Sequence, residues 1–147
     1  MLFNSARISL IFFLYKSAIP LASRSTIYVD YKYVTYHINI CAISTEDKYD
    51  NNVKIFYEKS SVALIACDLS NPNSSYTILN GINKINNFSP EKTKKIIVGI
   101  NDKNKNRKVD YETVNYFAQT NNFSYFELND KFIDIYYDMI TKMLTNT

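Results

Sequence analysis

Glycine is almost missing from this chain: Gly81 and Gly99 are the only two in 147 residues. A backbone that wraps a phosphate needs positions free of side-chain crowding. No glycine-built anion cradle can therefore form before residue 81. Histidine occurs once, at His37, and cysteine twice, at Cys41 and Cys67, and they form no Cys/His cluster of the kind that makes a zinc site. Both cysteines lie in apolar runs, His-Ile-Asn-Ile-Cys-Ala-Ile and Leu-Ile-Ala-Cys-Asp-Leu. They read as buried reduced thiols, suited to a reducing compartment. Charge of one sign is also lacking, since 17 basic and 14 acidic residues leave a net +3. The dense basic stretches run only from Lys92 to Lys95 and from Lys103 to Lys108. Solvated Lys/Asn loops look the same, so no nucleic-acid partner is expected.

What is present is a globular composition. The chain is 46% hydrophobic and carries 13 Tyr and 9 Phe, enough for a packed core rather than disorder. A single domain spanning 1–147 is expected, and a domain of that size buries roughly 70% of its unfolded surface. Asparagine is common, so the three Asn-x-Ser sequons at Asn73, Asn87 and Asn122 reflect composition.

The order of elements comes from periodicity. Ser61 to Leu69 is short, apolar and nearly continuous, as in a strand buried on both faces. Asn71-Pro72-Asn73-Ser74 then offers turn and cap chemistry, and Ile78, Leu79, Ile82 and Ile85 come next at helical spacing. A second such strand runs from Lys95 to Ile100, with a helix from Asp110 to Thr120 that places Val114, Phe117 and Ala118 on one face. Phe123 to Leu128 makes a third strand. From about Asp130 a last helix aligns Phe132, Ile135, Tyr136, Met139, Ile140 and Met143. Strands alternating with helices imply a parallel sheet covered on both faces. Thr26 to Ile43 alternates instead, predicting one or two edge strands, a hairpin without an Asn-Gly or Asp-Gly turn.

Several phrases in this order resemble the Rab branch of the small GTPases. Thr26-Ile27-Tyr28-Val29-Asp30-Tyr31-Lys32 is similar to the switch I signature Thr-Ile-Gly-Val-Asp-Phe-Lys, departing at the glycine. The run from Phe56 to Leu69 tracks the family's Tyr-Tyr-Arg-Gly-Ala stretch and the strand after it. Arg107-Lys108-Val109, Phe117-Ala118 and Phe126-Glu127 fall at the family's spacings, and the likeness spans Ala6 to Leu144. It implies an α/β, doubly wound, mostly parallel sheet of the P-loop NTPase type, lacking or shortening the first strand, with one antiparallel edge strand. It also implies GTP or GDP and magnesium as cofactors, Rab effectors or regulators as protein partners, and a role in vesicle-mediated transport. Through switch I, the partner-binding residues would be Ile27, Val29, Asp30 and Tyr31.

The chemistry that the family depends on is eroded. At the family spacing from Thr26, Arg7 takes the place of the phosphate-loop lysine, Ile8 that of the magnesium-binding hydroxyl and Ala6 that of the last glycine. The Asp-x-x-Gly element falls on Ala42, Ile43, Ser44 and Thr45, and Glu46 stands where the water-orienting glutamine belongs. A carboxylate there would repel a γ-phosphate. Thr26 alone survives among the metal ligands, and magnesium wants several oxygens in near-octahedral array. The guanine-reading Asn-Lys-x-Asp motif falls on Asn101-Asp102-Lys103-Asn104, losing its lysine and its acid; a plain Asn/Lys turn fits those residues equally well. Leu128-Asn129-Asp130 replaces the family's Ser-Ala contact to guanine.

These losses favour recognition over turnover, in a cytoplasmic protein at endomembranes. A divergent GTPase with hidden compensations, or a truncated product lacking an upstream phosphate loop, are the alternatives. The stretch Arg7 to Tyr15 reads either as a buried first helix or as the apolar core of a secretory signal with cleavage near Ala18 to Ala22. It is too short for a membrane span. The chain ends Leu-Thr-Asn-Thr, where Rab proteins carry prenylated cysteines, so membrane association is expected to be indirect. His37 reads as an ordinary edge residue, and Asp68 as a structural acid.

Overall fold

A computed structural model of the chain describes the backbone of residues 4–14, 22–44, 50–102 and 104–128. In chain order these residues form β1 (Asn4–Leu14), β2 (Ala22–Tyr31), β3 (Val34–Ser44), α1 (Asp50–Glu58), β4 (Val62–Asp68), α2 (Ser74–Phe88), β5 (Lys94–Ile100), α3 (Tyr111–Thr120) and β6 (Ser124–Leu128). The six strands make one sheet in the order β2-β3-β1-β4-β5-β6. Every neighbouring pair is parallel except β2 and β3. The expected mostly parallel sheet with one antiparallel edge strand is therefore present.

Two expectations near the N-terminus are corrected. Of the stretch from Arg7 to Tyr15 expected as a first helix, Arg7 to Leu14 is instead strand, because Asn4 to Leu14 pairs residue for residue with Val34 to Ser44. Its apolar residues run continuously, a pattern that periodicity alone cannot separate from a short buried helix. The first strand is thus neither missing nor short. It fills the central slot between β3 and β4. The shortening falls instead on the segment after it, since residues 15–21 are all that separate β1 from β2.

Strand parity divides the core. Cys41, Ala63, Ile65, Cys67 and Ile97 share one face of the sheet and pack with Tyr57 of α1, Ile78, Ile82 and Ile85 of α2, and Val114 and Ala118 of α3. On the other parity Ile38, Leu64, Ile96 and Val98 are equally buried, as a parallel sheet requires. Val114, Phe117 and Ala118 do share the inner face of α3, with Phe117 partly buried. Leu79 does not join the inner face of α2; it is among the exposed residues, because Ile78 and Ile82 already hold the stripe. Nor does Asn73 cap α2 with its side chain. Instead Asn71 Oδ1 accepts from the Asn73 N–H, and the Ser74 hydroxyl donates to the Asp68 carbonyl. The last helix expected from about Asp130 lies outside the described residues.

The hairpin β2–β3 turns on Lys32 and Tyr33, both at positive φ (48° and 66°). That is the primed two-residue turn that suits strand twist, made here without glycine. Both cysteines are buried, and neither is in a disulfide.

Candidate functional site

In open α/β sheets ligands sit outside the carboxyl ends of the strands. Here that edge is formed where Asp68, Ile100 and Leu128 end β4, β5 and β6 in register. The loop after β5 is tied to it at both ends. The Asn101 N–H donates to the Leu128 carbonyl (2.9 Å), and the N–H groups of Lys108 and Val109 both donate to the Leu69 carbonyl (2.7 and 3.0 Å). Within the loop Asp102 Oδ1 accepts from the Asn104 N–H at 2.9 Å, and the Asp102 carbonyl accepts from the Lys105 N–H. This is an Asx turn: the carboxylate is spent on closing its own loop. Asn101, Asp102 and Asn104 thus form a turn closed by its own hydrogen bonds. Asp68 behaves the same way, its Oδ1 accepting from both the N–H and the hydroxyl of Ser70.

Beside this loop is a polar network that no local motif marks as a unit. Both terminal nitrogens of Arg107 donate to Glu127, and Arg107 Nε donates to the Val109 carbonyl (2.7 Å). The Tyr125 hydroxyl donates to the same carboxylate at 2.5 Å. Hydrogen bonding to Arg107 holds the Glu127 carboxyl below its usual range despite partial burial. Burial, reinforced by the bond to Glu127, pushes the Tyr125 hydroxyl up. Cys67 lies under this cluster; burial first, then the nearby Glu127 charge, raises its thiol to about 12. Such a thiol is not a nucleophile at neutral pH. The phrases Arg107-Lys108-Val109 and Phe126-Glu127 contain the ion pair, but the long stretch of chain between them hides such a contact from local pattern reading.

The remaining candidates lie elsewhere. Thr26 is in the middle of β2, paired with Asn39, and its hydroxyl donates to Asn39 Oδ1 at 2.9 Å. Arg7 is within β1, opposite His37. Because Leu10 pairs with Val62 at the start of β4, and Thr26 is level with Ser9 through Asn39, both residues stand on the amino side of the start of β4. The loop at Asn101 to Asn104 is at the carboxyl edge, roughly 20 Å or more away along the strands at 3.3 Å per residue. The two halves of a nucleotide site are not brought together. Ala42 belongs to β3, between Phe12 and Ser23, while Glu46 lies outside the described residues. Ile27, Val29, Asp30 and Tyr31 lie along β2, the outer strand of the sheet. Asp30 is exposed and accepts from the Thr35 hydroxyl at 2.6 Å. His37 is not on an edge strand as expected: β3 lies between β2 and β1, so His37 pairs with Tyr28 on one side and Arg7 on the other, and its ring stands edge-on to Tyr28 at 4.7 Å.

This sheet order, with a hairpin edge and helices between parallel strands, defines an α/β protein of the small-GTPase type. A model of the Ras family matches residues 13–146, and the chain belongs to that family. No curated protein matches the chain.

Ras-family proteins in general bind GTP or GDP with magnesium and work through protein effectors and regulators. The described residues do not fit that ligand. The phosphate-loop signature Gly-x-x-x-x-Gly-Lys-Ser/Thr comes directly after a strand and opens a helix. Residues 15–21, between β1 and β2, are fewer than the signature itself and include no glycine. Among the described residues no three His, Cys, Asp or Glu side chains gather to hold a metal. Nor is any helix among them long and apolar enough to cross a membrane.

Proposed function

We propose that this chain is a Rab-like member of its family that serves vesicle-mediated intracellular transport by binding protein partners, with GTP binding and hydrolysis weakened or lost. The observation that carries this reading is the position of Thr26: the one surviving metal ligand is a mid-strand hydroxyl bonded to Asn39, far from the loop at Asn101 to Asn104. A nucleotide spans both elements only if they meet at one edge of the sheet. The switch I phrase persists on β2, whose outer edge faces no other described strand. Ile27, Val29, Asp30 and Tyr31 are the residues proposed to meet a Rab effector or regulator. The protein is placed in the cytoplasm, at endomembranes through its partners.

Calorimetric titration of the folded chain with GTP and GDP, with and without magnesium, tests the reading. The expected result is no measurable heat of binding in either condition. Micromolar affinity that rises with magnesium would overturn it in favour of a divergent nucleotide switch.

A further inference from the structure

Resting on the reading of β2 as the partner-binding strand, we propose that, besides an effector or regulator, the strand also takes a second copy of this chain, joined by antiparallel β2–β2 pairing about a two-fold axis at Ile27.

Natural sheets guard exposed edge strands with lysine, proline, bulges or short length. The opposite edge, β6, is short, at five residues. β2 has ten residues, Ala22 to Tyr31, with neither lysine nor proline, and its register against β3 runs without a bulge. Among the described residues no strand pairs with its outer edge, which makes it a template for another strand.

The hairpin decides which groups face outward. A two-residue turn leaves Tyr31 and Val34 as the closing pair, and in such a turn that pair exchanges both backbone hydrogen bonds. Bonded pairs alternate along an antiparallel ladder, so Tyr31, Val29, Ile27 and Ser25 turn their N–H and C=O groups toward β3. Asp30, Tyr28, Thr26 and Arg24 turn theirs to the open edge.

Two copies related by a two-fold axis must pair these outward residues with one another. Centred on Ile27, Arg24 stands opposite the second copy's Asp30, and Thr26 opposite its Tyr28. The symmetry repeats both pairs. The strand carries only these two charges, and this register alone neutralises both. A shift of the centre to Thr26 sets Arg24 against Tyr28; a shift to Tyr28 sets Asp30 against Thr26 and Arg24 against Lys32. Cross-strand pairs of opposite charge stabilise a ladder and like charges oppose it. Asp30 is exposed and uses Oδ1 on Thr35, which leaves Oδ2 for an arginine.

Sedimentation velocity of the 147-residue chain over a range of concentrations tests the pairing. A reversible dimer at tens of micromolar (order of magnitude for a small polar interface), weakened by salt, is expected. Arg24→Asp and Asp30→Arg should each raise the dissociation constant about tenfold by setting like charges opposite twice per dimer, and the double swap should restore it. Tyr28→Pro removes one outward N–H while sparing the ladder to β3, and should give a folded monomer by circular dichroism. A wild-type chain that is wholly monomeric at about 500 μM, roughly tenfold above the expected constant, or charge variants that dimerise like wild type, would overturn the second-copy pairing. The nucleotide titration is independent of either result, so failure here is distinguishable from failure of the wider reading.

Discussion

Arg107 donates from both terminal nitrogens to the two carboxylate oxygens of Glu127, at 3.0 and 2.6 Å, and so ties the loop after β5 to the last described strand. Their side chains are 29% and 18% exposed, so the pair is partly shielded and its geometry is bidentate. Arg107→Ala strands a mostly buried carboxylate and should cost roughly 2 kcal/mol, read as a drop in the urea midpoint. Arg107→Lys recovers only part of it, because an ammonium cannot match both oxygens.

The same pair sets a pH dependence. Glu127 is held below its unfolded value of about 4.3, so its stabilisation is complete above that value. It is lost as pH falls through the depressed folded value. Urea midpoints measured from pH 7 down to pH 3 should fall less steeply at the acid end in Glu127→Gln than in the wild type. Equal slopes in the two proteins would show that the pair carries no linkage.

The two glycines separate by what a methyl group would meet. At Gly99 a Cβ would come within 2.8 Å of the Tyr125 Oη and 3.0 Å of Leu69 Cδ1. Gly99→Ala must therefore displace the Tyr125–Glu127 bond and should destabilise by about 1–3 kcal/mol. At Gly81 the nearest atoms are 3.0 and 3.1 Å away on the Ile65 side chain, whose end can move. The gain in helix propensity, about 1 kcal/mol, offsets that crowding. Thermal melts should rank Gly99→Ala well below both wild type and Gly81→Ala.

The sheet and its helices are legible in the sequence because β4, β5 and β6 are short apolar runs bounded by turn residues, and their helices repeat at 3.6. The first strand is not. From Arg7 to Tyr15 the apolar residues neither alternate nor form a helical stripe, and a strand in the centre of a parallel sheet can carry the same pattern as a short core helix. Counting back from Thr26 then puts Arg7 on a phosphate loop, whereas the fold places it within β1 opposite His37. The edge hairpin is readable from alternation, but its turn is hidden, because Lys32 and Tyr33 occupy positive-φ positions where glycine or asparagine is usual. The Arg107–Glu127 pair is hidden for a different reason, since only the docking of the loop after β5 onto β6 brings the two residues together.

Thr77 offers a stabilising change. It is almost fully buried on α2, and its hydroxyl has no hydrogen-bond partner among the described residues. An unpaired buried hydroxyl costs about 1–3 kcal/mol, and valine has nearly the same shape without it. Thr77→Val should stabilise the fold by about 1 kcal/mol after its lower helix propensity is counted, seen as a higher urea midpoint with an unchanged slope.

The place of β1 gives the leader reading of its segment a direct test. It pairs with β3 from Asn4 to Leu14 on one side and with β4 from Leu10 to Phe13 on the other, while β3 and β4 do not pair with each other. Cleavage near residues 18–22 would take out the strand that joins the β2–β3 hairpin to the rest of the sheet. The hairpin alone is too small to persist in water. A chain beginning at residue 22 should therefore lose cooperative unfolding and expose apolar surface to a hydrophobic dye, while the 147-residue chain melts in one transition. If the shortened chain melted as sharply as the full one, β1 would be dispensable and a leader removed by processing would become the better account of that segment.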